Sequence, residues 1–273
     1  MTGRDKRQVA QHFSRAAQTY DRAASIQQRA VTALLNQLPA LSGHWLDIGC
    51  GTGVALPHLR LKGANRVTGI DLAEGMLEAA ASHTDPQTDL LLADADDLPL
   101  PDCSADGLIS SLMLQWSEAP DETLKEWQRV MKPGSRIAIA TLLPGTQREL
   151  QQAWGAIDDR PHVNEFEAPE RLNHALTQAG FTDIVFEQDC LTEYYDSVPD
   201  LLRSLKAIGA TNVNAGRRAG LGGRAAIDAL SRHYPTIEHQ GQTAYPLSYE
   251  VLWIYARAKA EQSTESKPGG SKP

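Results

Sequence analysis

The strongest constraint on the fold of this chain is the stretch Leu46-Asp47-Ile48-Gly49-Cys50-Gly51-Thr52-Gly53, followed by an apolar run that ends at Ile70-Asp71. A short apolar strand enters a glycine-rich turn, and the next strand ends in a carboxylate. Glycines let the backbone turn sharply and approach a ligand with no Cβ in the way. A carboxylate at the tip of the neighbouring strand can accept hydrogen bonds from ribose hydroxyls. The pattern suits an α/β protein that holds an adenosine-containing molecule.

Periodicity along the chain agrees with that class. Val9, Phe13, Ala16 and Tyr20, then Ile26, Ala30, Leu34 and Leu38, recur at helical spacing, with a break expected at 21–25 and an end at Pro39. Strands are expected at 45–48, 66–70, 90–92, 107–110 and 136–141. Helices are expected after Gly53, over 73–82, and over 121–131, the last closed by Lys132-Pro133-Gly134. Such alternation predicts a parallel sheet with helices on both faces. Beyond Thr141 the pattern loosens: a helix over 169–179 ending at Gly180, a strand over 182–187, a helix over 198–208, a basic stretch over 212–224, and a final strand over 247–257. The expectation is therefore an α/β fold, a doubly wound and mostly parallel sheet of seven strands. Residues 1–40 form an N-terminal helical lid and 41–260 the main domain. Within the latter, 190–245 make a helical, basic insertion before the last strand, and the Ser-, Thr-, Lys-, Gly- and Pro-containing tail over 261–273 is expected to be disordered.

Composition narrows the setting. In 273 residues no apolar run approaches the length of a membrane span, and the polar start is no signal peptide. Three scattered cysteines, Cys50, Cys103 and Cys190, form neither a disulfide framework nor a metal knuckle, so a cytoplasmic, metal-free protein is expected. A net charge of −8 argues against a general nucleic-acid binder. The charge is uneven, however. Between 203 and 232, Arg203, Lys206, Arg217, Arg218, Arg224 and Arg232 face one acid, Asp228, and residues 1–30 are also rich in bases. These are either solvated helix faces or a surface for an acidic partner.

The glycine spacing discriminates among cofactors. A dinucleotide fingerprint, G-x-G-x-x-G, would put its third glycine at Val54, whose branched side chain obstructs close helix–strand packing. Asp47, just before the loop, would repel a pyrophosphate and welcome an ammonium. The run resembles the D-x-G-x-G-x-G loop of class I S-adenosylmethionine-dependent methyltransferases. That resemblance implies S-adenosylmethionine as cofactor, with Asp47, Gly49, Cys50, Gly51 and Gly53 around its methionine part. It also implies Asp71 with Leu72 at the ribose, and Asp94 with Ala95 at the adenine. Gln115 and Trp116, after the fourth strand, would lie beside the reactive sulfonium, although Trp116 suits a core position equally well.

Further segments narrow the resemblance. Phe13 to Asp21, Leu114-Gln115-Trp116, Arg203 to Thr211 and Tyr245-Pro246-Leu247-Ser248-Tyr249 are similar to the malonyl-acyl-carrier-protein O-methyltransferases of biotin synthesis, over roughly residues 7–258. The resemblance implies methylation of the free carboxyl of a malonyl thioester on an acyl carrier protein or coenzyme A. That carboxyl is ionised at neutral pH, so it needs alignment and desolvation rather than a base. Tyr20 is the first candidate for capping cofactor or substrate. Arg160, His162, Arg203 and Lys206 are candidate carboxylate partners, a choice the residues leave open. Carrier proteins are acidic, which makes the basic stretch through Arg217, Arg218 and Arg224 a candidate docking face. A methyltransferase of the same fold acting on a quinone or another small molecule would keep the loop, Asp71 and Asp94, but has no need of the Arg203 to Thr211 segment. A nucleic-acid methyltransferase is disfavoured, since no Asn/Asp-Pro-Pro-aromatic run follows the fourth strand.

Overall fold

A computed structural model describes residues 6–209 and 224–260. The tail over 261–273 and nearly all of the 212–224 stretch, Arg217 and Arg218 included, lie outside the described residues. The chain opens with α1 (Lys6–Ala23) and α2 (Ser25–Asn36). Strands and helices then alternate: β1 (His44–Ile48), α3 (Leu56–Leu61), β2 (Arg66–Asp71), α4 (Glu74–Ala80), β3 (Thr88–Leu92), β4 (Ala105–Ser111), α5 (Pro120–Val130) and β5 (Met131–Leu142). The second half holds α6 (Arg148–Gly155), α7 (Pro169–Ala179), β6 (Phe181–Tyr195), α8 (Val198–Ala207), α9 (Arg224–His233), β7 (Ile237–His239) and β8 (Gln242–Ala258).

Seven strands run in the order β3-β2-β1-β4-β5-β8-β6, and short β7 pairs with β8 beside that path. β1 to β5 pair in parallel, while β8 is antiparallel to both β5 and β6. A sheet covered on both faces buries alternate residues in opposite layers. Trp45 accordingly packs with the α2 and α3 side (Leu34, Leu56), and Leu46 and Ile48 pack with the α5 and α7 side (Leu124, Leu172). Trp127 of α5 is fully buried, and its Nε1 donates to the Ala95 carbonyl at 3.0 Å. A core side chain of that size contributes about 3–5 kcal/mol, and here it also fixes the loop after β3. The chain leaves β1 for β2 on one side and later enters β4 on the other. The carboxyl ends of β1 and β4 therefore flank a crevice, the usual place for a ligand in such sheets.

Local signals explain most boundaries. Pro169 stands in the first turn of α7, where its missing N–H costs nothing, and Gly180 closes the helix at φ +97°. Four expectations need correction. Helix α5 stops at Val130, because Met131 already pairs with Ala105, so the Lys132-Pro133-Gly134 turn falls inside the span of β5. Strand β6 runs on to Tyr195, since its polar second half is held by backbone pairing with β8 rather than by alternation. The α6 and α9 helices were not expected. Each is short, and α6 buries only Glu149, Leu150 and Ala153, too few positions to set a clear period. Finally, β7 adds a small hairpin to the seven strands. Among the described residues, no helix is long and apolar enough to cross a membrane.

Candidate active site

The turn after β1 holds Gly49, Gly51 and Gly53 at φ +74°, +53° and +83°. The Gly49 and Cys50 amides both donate to the Ile70 carbonyl, at 2.8 and 3.0 Å, which ties the loop to β2. A Cβ on Gly49 would stand 2.5 Å from Met113 Cβ, and one on Gly53 would stand 2.9 Å from Ala80 Cβ. Those two glycines serve the protein's own packing. A Cβ on Gly51 would meet no protein atom within 4 Å. The middle glycine borders open space.

That space is a cleft of about 910 Å³, bordered by Gly49, Gly51, Asp71, Leu72, Asp94 and Ala95 from the strand ends and by Lys6, Phe13 and Tyr20 from α1. Asp71 accepts from the Gly51 amide at 2.9 Å and the Ala73 amide at 2.8 Å. Burial pushes its pKa upward, and these bonds pull partly back. Asp47 is almost fully buried, and burial together with the nearby Asp71 charge pushes it up to about 7. Such a carboxylate gains most from a cation placed beside it. The Ser111 hydroxyl, which borders both the cleft and a smaller cavity at Asp47, is buried with no hydrogen-bond partner.

Helix α1 lies across this cleft and is fastened at three points. Lys6 Nζ meets Asp94 at 2.7 Å and Asp96 at 2.6 Å. Ser14 Oγ accepts from the Gly75 amide at 3.2 Å, and Asp21 accepts from the Thr52 hydroxyl at 2.6 Å. The Phe13 ring stands edge-on to Trp116, 5.3 Å between centroids.

A second cavity, of about 660 Å³, adjoins the first, and Phe13, Tyr20, Leu112 and Trp116 line both. Tyr20 also borders the cavity at Asp47. Burial, then the charges of Asp71 and Asp21, push its phenol well above the usual range, so it stays neutral. Gln115 faces the second cavity, where its amide donates to the Leu112 carbonyl at 2.6 Å and accepts from Thr141 at 3.3 Å. Polar residues of the same cavity that sequence reasoning missed are Gln27, Gln147 and Asn164. Tyr249 belongs there too, and its quoted motif was the one available signal.

Several expected residues stand elsewhere. Arg203 and Lys206 occupy the exposed face of α8, because Val198, Leu201 and Leu205 take the buried one. Arg203 is ion-paired with Asp200, and neither base lines any of these three cavities. Arg160 is exposed. His162 does reach the second cavity, with its ring stacked on Trp154 at 4.0 Å and its Nε2 2.7 Å from Asp158. Gly53 borders none of these three cavities, for the packing reason above, whereas Cys50 borders the one at Asp47, its thiol pushed up by burial beside Gly69. No cluster among the described residues is arranged to hold a metal.

Residues 46–139 match the methyltransferase domain family. The YcgJ protein from Bacillus subtilis shares the fold at a TM-score of 0.60 and 17% identity, over 86% of this chain and 100% of that one. A biotin biosynthesis bifunctional protein BioHC from Cellvibrio japonicus (strain Ueda107) is 39% identical over 93% of this chain and 50% of its own length. The chain thus spans about half the length of such bifunctional relatives. A malonyl-[acyl-carrier protein] O-methyltransferase from Laribacter hongkongensis (strain HLHK9) is 38% identical over 92% of this chain and 89% of its own. Loop, strand-end carboxylates and end-to-end similarity agree, and the chain belongs to the malonyl-[acyl-carrier protein] O-methyltransferase family.

Proposed function

We propose that this chain transfers a methyl group from S-adenosylmethionine to the free carboxylate of a malonyl group on acyl carrier protein, in biotin synthesis. The observation that carries this reading is the meeting of two cavities at Tyr20, one lined by strand-end carboxylates and the other by neutral amides and a phenol. The cofactor, when bound, supplies an electrophilic methyl on a positively charged sulfur. The open cradle at Gly51 and the orphan Ser111 hydroxyl suit it. Asp47 takes the ammonium, Asp71 the ribose hydroxyls, and Asp94 with Ala95 the adenine. The acceptor arrives ionised, so the residues at the junction need only align it and exclude water.

The acidic carrier meets the exposed bases of the insertion. Arg203 and Lys206 on α8, with Arg224 and Arg232 on α9, are exposed, and the two helices touch. Residues 6–40 act as a lid over the bound cofactor. Three free cysteines support a reducing compartment such as the cytoplasm.

Incubation with S-adenosylmethionine and malonyl-carrier protein, read by intact mass, tests the reading. One methyl is gained on the malonyl carrier and none on an acetyl carrier. Methylation of both, or of neither, overturns it.

A further inference from the structure

The second cavity contains no arginine or lysine among the described residues, although the methyl-transfer reading brings an anion to its junction with the cleft. Apart from His162, its polar lining is made of amides and hydroxyls: Gln27, Gln115, Gln147, Asn164, Tyr20 and Tyr249, set among apolar walls such as Leu142 and Phe166. His162 is already engaged with Asp158 and Trp154. Two details single out a subset. Asn164 Oδ1 is buried with no hydrogen-bond partner. A buried amide is seldom left so. Half a turn about its χ2 exchanges oxygen for the isosteric amino group and offers a donor at the same place. Gln147 holds a left-handed backbone, φ +58° and ψ +31°, at the start of α6. Residues other than Gly, Asn and Asp rarely adopt it, and such strain gathers at functional sites. Its backbone amide donates to the Ser248 carbonyl at 2.6 Å, and its side chain lies beside the Tyr249 phenol.

We infer that the malonyl carboxylate is received by the neutral donors Asn164, Gln147 and Tyr249, with no cationic side chain among the described residues taking part. This inference rests on the methyl-transfer reading above. The charge balance of the reaction explains the choice. A carboxylate oxygen forms a bond to the methyl carbon as the carbon–sulfur bond breaks, with its electron pair left on sulfur. One negative and one positive charge disappear together, and no proton moves. A buried arginine or lysine would pair well with the reactant and then be stranded, unpaired, beside a neutral ester. Stranding a buried charge is expensive. A guanidinium would also engage both carboxylate oxygens and draw density from the attacking one. Amide and hydroxyl donors orient the anion, and an ester carbonyl can still accept from them afterwards. The same donors tell malonyl from acetyl, which offers no distal oxygen to fill them.

The test uses a small substrate, malonyl-pantetheine, so that carrier docking plays no part. Asn164→Ala and Gln147→Gly, the latter chosen because glycine accepts the left-handed backbone, are each expected to raise its KM about 10- to 100-fold. The S-adenosylmethionine Kd by calorimetry, and Tm, should stay near the parent values. Asn164→Asp, which sets a carboxylate against a carboxylate, should cost at least as much as Asn164→Ala. Arg160→Ala, Arg203→Ala and Lys206→Ala should leave the KM for malonyl-pantetheine unchanged. Parent-like KM values in both Asn164→Ala and Gln147→Gly overturn the inference, as does a large rise in any of the three cation variants. If the parent enzyme itself methylates no malonyl thioester, it is the proposed function that fails.

Discussion

The cofactor cleft and the cavity beside it share four residues yet are built by opposite means. The cleft is made from the ends of four neighbouring strands, so Gly49, Asp71, Asp94 and Ser111 are placed by one sheet register. The second cavity is gathered from α1, α2, the 3₁₀ turn after β4, the start of α6, the 162–166 loop, the end of α8 and β8. One is rich in carboxylates and the other in neutral amides. The contrast suits the proposed pairing of a cationic donor with an anionic acceptor. On the proposed reading, each guest would find an environment set for its own charge, and the two charges would neutralise each other where the spaces meet.

That contrast can be broken most forcefully from the cleft side. Asp71→Ala leaves the Gly51 and Ala73 amides without their acceptor and removes the ribose partner. Calorimetry should show S-adenosylmethionine binding weakened on the order of 100-fold. The second cavity has no part in that bond, so a comparable loss from Gln147→Gly would erase the distinction between the two sites.

A smaller effect comes from Asp47. Burial and the Asp71 charge push its carboxyl up to about 7, above the ordinary value of about 4. The folded state therefore keeps a proton that the unfolded chain has released. Stability is fully present below about pH 4 and is lost as pH rises towards about 7. Asp47→Asn removes this loss. Its Tm should exceed the parent's by several degrees at pH 8 and match it near pH 4, while cofactor binding weakens. An equal Tm difference at both pH values would rule out buried ionisation as the cause.

The mildest expected change lies outside both sites. Reversing Arg203, Lys206, Arg224 and Arg232 to Glu should raise the KM for carrier-bound malonyl several-fold at low salt. It should leave malonyl-pantetheine nearly untouched. Equal loss with both substrates would place those bases in the chemistry rather than at the surface.

How much of this was legible in the sequence follows the same division. Gly49, Gly51, Asp71 and Asp94, which border the cleft, were legible because a strand, its turn and the next strand tip are consecutive. Helix α7 could be bounded to the residue because Pro169 and Gly180 punctuate it. In the second cavity, Gln147, Asn164 and Tyr249 sit in segments with no shared motif, and only tertiary packing joins them. The assignment of Arg203 and Lys206 to the carboxylate had a chemical motive, the pairing of an anion with a base. The period of α8 already opposed it: Val198, Leu201 and Leu205 claim the inner face and turn those bases outward.

Helix α1 carries one more implication. It roofs the cleft, walls the second cavity, and touches α8, where the Thr19 hydroxyl donates to the Ala207 carbonyl at 3.1 Å. Behind it the chain departs from helical geometry at Ala24, φ −94° and ψ +39°, before α2 begins. Because α1 borders both chambers, a displacement that opened one would open the other. If the helix is the lid proposed above, entry of a small cofactor and of a protein-borne acid would be coupled through that one element.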